Sequence, residues 1–240
     1  MKDFLNRCFE QPEGNKNGKL KHRGPVVTIS RECGCSARPI AIKLSKILTG
    51  YNYLSESETN IEWKWVNKEI IEIAARELET NGRQIKNVFL NKPWPNIHEI
   101  MAAFSSIPID DTFDQQVIST VRTVIRRIAE VGNFIIVGRA ANVIVQDIPL
   151  HLSVKLQAPL EWRINQMMLI NNQSFAEAQK HVLKTDRQRN WFVEHVAGRK
   201  LNDNDFDLIF NYSTMPEDYI VDVIVNVLKD KRIITNFLAE

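Results

Sequence analysis

Apolar residues recur along the chain in two rhythms. Short β-branched runs at 25–30 (P-V-V-T-I-S), 133–138 (N-F-I-I-V-G) and 207–211 (D-L-I-F-N), with the alternating stretch 150–157, read as four strands. Between them apolar positions return every three or four residues. Ile40, Leu44, Ile47 and Leu48 mark a helix over 39–48, and Val66, Ile70, Ile73, Ala74 and Leu78 one over 66–78. A longer helix over 114–131 lines Val117, Ile118, Val121, Val124, Ile125 and Ile128 on one face and leaves Arg122, Arg126 and Arg127 off it. Helices follow at 159–170, 174–196 and 216–228, the second with a dense basic and polar face. Residues 10–24 read as a flexible lead-in and 50–62 as loop, with breaks at Asn81-Gly82 and 91–96. Strands alternating with helices predict an α/β fold: a parallel sheet covered on both faces.

Composition narrows the picture. The 240 residues suit one large domain, or one with an inserted subdomain. A formal net charge of +2 argues against a general nucleic-acid binder. No apolar run reaches the ~20 residues of a membrane span, and residues 1–10 lack a signal-peptide pattern, so a cytoplasmic location is expected. The three cysteines, Cys8, Cys33 and Cys35, do not form a disulfide framework. With no Cys/His pattern beside them, Cys33 and Cys35 are read as small side chains around Gly34 in a tight loop rather than metal ligands.

The chemistry concentrates where the first strand meets the first helix. The phosphate-binding signature G-x-x-x-x-G-K-[ST] uses two glycines, a lysine and a hydroxyl; here Arg31, Ser36, Ala37 and Arg38 hold those positions. A strand, a small-residue loop and a helix N-terminus still offer backbone N–H groups and the positive end of a helix dipole. Gly34, Cys35, Ser36, Ala37 and Arg38 are therefore candidates for holding a donor phosphate; the alternative is a purely structural connection. Arg38 is either the cation replacing lysine or a solvated arginine. Arg31 either reaches the site or pairs with a carboxylate such as Glu32. Ser36 is a weak candidate for a metal, whose ligands are otherwise unknown. His181 and His195 are too far apart for one metal site, Asp110-Asp111 suits a helix N-cap, and Trp63, Trp65 and Trp94 favour packing over base stacking.

Five blocks carry a resemblance: T-I-S-R-E-x-G, G-R-A-A-N-V-I, A-P-L-E-W-R, D-R-Q-R and D-L-I-F-N. In order and spacing they resemble the cytidylate-kinase-like family of P-loop nucleoside monophosphate kinases, over roughly residues 25–230. The resemblance implies a three-layer P-loop kinase core in residues 25–240. It also implies a helical acceptor insertion at about 52–112 and a basic lid at about 172–200. It implies a kinase moving the ATP γ-phosphoryl, with Mg²⁺, to a nucleoside monophosphate or similar small acceptor. Arg38, Arg163, Arg187 and Arg189 become catalytic candidates, because arginine forks match phosphate oxygens, and Arg139 faces the acceptor. The family's loop usually reads R-E-x-G-S-G-G-R, so Arg31 and the missing lysine are family traits. Cys35, Ser36 and Ala37 depart from it, as does Ala140, where cytidylate kinases carry an acid. These departures motivate the alternative: a catalytically silent relative that binds a nucleotide, another anion or a partner protein. The acceptor and the oligomeric state stay open.

Overall fold

The computed structural model describes residues 25–53, 62–67 and 115–234. In chain order these form β1 (Val26–Arg31), α1 (Ala37–Tyr53), β2 (Lys64–Val66), α2 (Gln115–Val131), β3 (Phe134–Val137), α3 (Ala141–Ile144), β4 (His151–Gln157), α4 (Leu160–Asn171), α5 (Phe175–Ala197), a 3-10 turn (Asp203–Asp205), β5 (Leu208–Asn211) and α6 (Glu217–Asp230). The strands make one parallel sheet in the order β2-β3-β1-β4-β5, with β1 at its centre.

Alternation along β1 explains the layers. Val27 and Ile29 face one side, where Ile40, Leu44 and Leu48 of α1 meet Ile220, Ile224 and Leu228 of α6. Val26 faces the other, where Val121, Ile125 and Ile128 of α2 pack with Ile136 and with Phe192 and Val196 of α5. A strand buried on both faces is expected to read as a continuous apolar run, and β1 and β3 do. The three-layer α/β architecture read from the sequence is thus present. Thr28 breaks the run on the second face but is satisfied: its hydroxyl pairs with His151 Nε2 at 2.8 Å.

Most predicted elements match to within one or two residues, the usual fraying of ends. Two differ in kind. Val66 does not open a helix; it closes the edge strand β2, which pairs with β3 from Lys64 to Val66. Three residues are too short for a period to declare itself, and the pairing is imposed by β3. Trp63 and Val66 are buried beside it, and Trp65 packs on the α1 face. This strand lies inside the 52–112 span. The second difference is α1, which begins at Ala37 and runs past Gly50 to Tyr53. Pro39 still falls in its first turn, where a missing N–H leaves no intrahelical bond unmade. The lead-in 1–24, residues 68–114 with Trp94 and Asp110-Asp111, and Cys8 lie outside the described residues. Among the described residues no helix is long and apolar enough to cross a membrane.

The segment expected to be a lid is the single helix α5. It opens on a capping box: Ser174 Oγ accepts from the Glu177 N–H, and the Glu177 carboxylate accepts from the Ser174 N–H at 2.9 Å. It ends on Gly198 at φ 70°.

Candidate functional site

The loop after β1 is closed on itself. The Glu32 N–H extends the sheet pairing to Leu156 O at 3.0 Å, and the Cys35 N–H turns back to Glu32 O at 3.2 Å. Gly34 makes this turn at φ +93°, and a Cβ there would lie 2.9 Å from Cβ of Arg163. Position 34 thus needs glycine for both its backbone angle and the approach of α4. Cys33 and Cys35 are buried. Burial first, then Glu32, pushes the Cys35 thiol up to about 12, and burial likewise raises Cys33. Both stay protonated, unlike a reactive thiolate. Among the described residues no group of three or more His, Cys, Asp or Glu side chains stands ready to hold a metal.

Arg163 is the tie that closes the loop. It is 7% exposed. Its Nε donates to Ala158 O at 2.9 Å and faces Glu32 Oε2 at 3.2 Å. Its Nη1 donates to Cys33 O at 3.3 Å and pairs with Asp186 of α5. The other oxygen of Asp186 accepts the Cys33 N–H at 2.7 Å. Glu32 also accepts the Ala158 N–H at 3.1 Å. Two carboxylates, one guanidinium and the loop backbone thus satisfy one another, as buried charges require.

Arg31, the residue just before that loop, is arranged differently. Its guanidinium lies against Gly138 at the end of β3, where an added Cβ would fall 1.9 Å from Nη1. Among the described residues no carboxylate pairs with it. Burial, then the charges of Arg189 and Arg139, brings its pKa down to about 9. Arg189 donates from Nη1 to the Arg31 carbonyl at 3.2 Å. Arg139 lies with its guanidinium carbon 5.9 Å from the Phe192 ring centroid. The turn that presents Arg139 is strained: Gly138, Arg139 and Ala140 all have positive φ, 79°, 58° and 55°. The two non-glycine residues cost roughly 1–2 kcal/mol each in that region.

These arginines open onto one cleft of about 590 Å³ at the C-terminal ends of β1, β3 and β4. In an open α/β sheet that edge is where ligands bind. Its far side carries Lys155, which pairs with Asp203 at 2.9 Å and stands 5.5 Å from the Phe206 ring centroid. Of the residues singled out from the sequence, Arg31, Arg139, Arg163 and Arg189 line the cleft together, with Arg163 committed to its carboxylates. Ala140 lines it too. Gly34, Cys35, Ser36, Ala37 and Arg38 do not; Ser36 and Arg38 are exposed beside the start of α1. Arg187 is exposed and outside the cleft. His181 and His195 are exposed, the latter stacked on Trp191. Lys155 is brought in by the structure, and Arg31 gains weight over the loop that follows it. The available signal was position: Arg31 ends the central strand, at the sheet edge that also receives Gly138.

A family model for the cytidylate kinase-like family matches residues 26–214. Among solved structures the chain is similar to an uncharacterized protein from Eubacterium ventriosum ATCC 27560. The two are 20% identical over 88% of this chain and 99% of that chain, with a TM-score of 0.57, a likeness of fold. A second, APE1195, is 14% identical over 88% of this chain and 98% of that chain, with a TM-score of 0.44. No curated protein matches the chain.

Proposed function

The chain belongs to the cytidylate kinase-like family, and from that membership we propose that it is a nucleotide-dependent phosphotransferase. It moves the terminal phosphoryl of ATP to a nucleoside monophosphate or a similar small acceptor. The observation that carries this reading is Arg31: a half-buried guanidinium with no carboxylate partner among the described residues, flanked by Arg139 and Arg189, in an open cleft. A charge partly removed from water without a partner is costly, and a phosphate entering the cleft supplies the missing counter-charge.

Phosphoryl transfer asks the protein for position and positive charge more than for covalent chemistry. Arg31 and Arg189 hold phosphate oxygens from the strand ends, and Arg139 meets the acceptor side. The helix N-terminus at Ala37 and Arg38 lies outside that cleft, so in this reading the strand-end arginines carry the phosphates. Arg163 serves by holding the loop to α5.

Mg²⁺ is implied by the family. It binds through substrate phosphates with only one or two protein oxygens. Its chemistry when bound is to draw negative charge off the phosphates.

One observation favours a second reading, an anion-binding relative without turnover: residues 34–38 do not line the cleft. A coupled assay with ATP across nucleoside monophosphates, with calorimetric ATP binding beside it, tests both. Turnover of any acceptor supports the kinase. Binding without turnover supports the silent relative, and no binding overturns both.

A further inference from the structure

Helix α5 touches the rest of the fold along one face, at helical spacing. Ala178 and Val182 pack with Cys33 and Ile164, and Phe192 and Val196 enter the main core. Between these apolar ends the contacts are charged. Asp186 takes the Cys33 N–H at 2.7 Å and pairs with Arg163. Arg189, one turn further on, reaches the Arg31 carbonyl at 3.2 Å. The middle of the helix therefore brings a positive charge to a place where Arg31 and Arg139 already stand. Like charges in a partly dry cleft repel more strongly than in water. Something must hold that stretch down before an anion arrives.

We propose that Asp186 is a positioning residue that latches the middle of α5 to the loop, so that Arg189 stands beside Arg31 in readiness for a phosphate. The proposal rests on reading the arginine cluster as an anion site. The latch has two halves, the Cys33 N–H on the loop and the buried Arg163 on α4, which the same loop's Cys33 carbonyl and Glu32 also hold. Once an anion bridges the arginines, repulsion becomes attraction and the latch is no longer needed.

Hydrogen–deuterium exchange of the full chain, wild type and Asp186→Asn, with and without inorganic pyrophosphate, reads this directly. Asparagine keeps an acceptor for the Cys33 N–H and removes the charge. In the wild type, residues 175–197 should exchange slowly in both conditions. In Asp186→Asn without pyrophosphate, exchange there and at Cys33 should rise about tenfold or more, the mark of local opening, with β3 still protected. Adding pyrophosphate should return it to near the wild-type rate. Wild-type protection of α5 in ligand-free Asp186→Asn overturns the proposal. If that variant does not fold, Asp186→Asn/Arg189→Ala is measured instead. Removing the repelling charge should restore docking, and failure to restore it overturns the proposal. Titration of pyrophosphate into the wild type keeps the two readings apart: no binding there sinks the anion site, while the ligand-free exchange comparison still decides the latch.

Discussion

The loop at 32–36 and the arginine cluster at the strand ends are adjacent and equally rich in charge, yet they are organised in opposite ways. In the loop, Glu32, Arg163, Asp186 and the Cys33 and Ala158 backbone satisfy one another. At the strand ends, Arg31 meets two further arginines and, among the described residues, no carboxylate, beside a turn held at positive φ. Charges that satisfy one another hold a fold together. A half-buried cation without an acid, next to backbone strain, marks where the fold waits for something else. The comparison moves the weight of the proposed phosphate site from the loop that resembles a signature to the strand-end residue that precedes it.

The glycines break this comparison most severely. Gly34→Ala should destabilise the protein by about 2–4 kcal/mol, from its positive φ and its clash with Arg163. Its pyrophosphate affinity, measured below the melting transition, should stay near that of the wild type. Gly138→Ala should also destabilise, but it pushes directly on Nη1 of Arg31, so pyrophosphate binding should fall with stability. Calorimetry beside thermal melts separates the two; equal losses of affinity would merge the regions.

His151 offers a test away from both. Burial first, with Lys231 adding to it against the opposing pull of Asp207, holds its pKa at about 4 against an ordinary 6.5. The unfolded chain therefore takes up a proton first on acidification. Stability present above pH 6.5 should be lost as pH falls toward 4, by about 2–3 kcal/mol. Melting curves of wild type and His151→Gln across that window check it: the variant should lose much of the slope.

Smaller effects sharpen the division of labour. Arg38→Ala should weaken ATP by at least ~1.5 kcal/mol if α1 holds the donor, the low end for a charged hydrogen bond, and leave pyrophosphate affinity nearly unchanged. Arg187→Ala, outside the cleft, should change either affinity by less than about 0.5 kcal/mol.

The pattern of apolar residues made β1, β3, β4 and the long helices legible, because each buries a face whose period is long enough to read. β2 was not legible: three residues at a sheet edge take their conformation from β3. At the site, the sequence found the segments, and the fold sorts the arginines within them by place. Arg187 and Arg189 share one motif, but two steps along a helix turn the side chain by about 200°, so only Arg189 reaches the cleft. Arg163 looked like a phosphate cation because its partners lie 131 and 23 positions away in sequence, at Glu32 and Asp186. Arg31 stood beside an obvious candidate partner, Glu32, and only the fold shows that Glu32 faces Arg163 instead.

The central claim is that Arg31 is a half-buried cation held for a phosphate. Titrating pyrophosphate into Arg31→Met at fixed salt, with a thermal melt of the same sample, tests it most directly. Affinity should fall about a hundredfold, some 2.7 kcal/mol, while the melting temperature holds or rises as a half-buried charge without an acid partner is removed. Affinity within about threefold of the wild type, or a melting temperature that collapses, would contradict it.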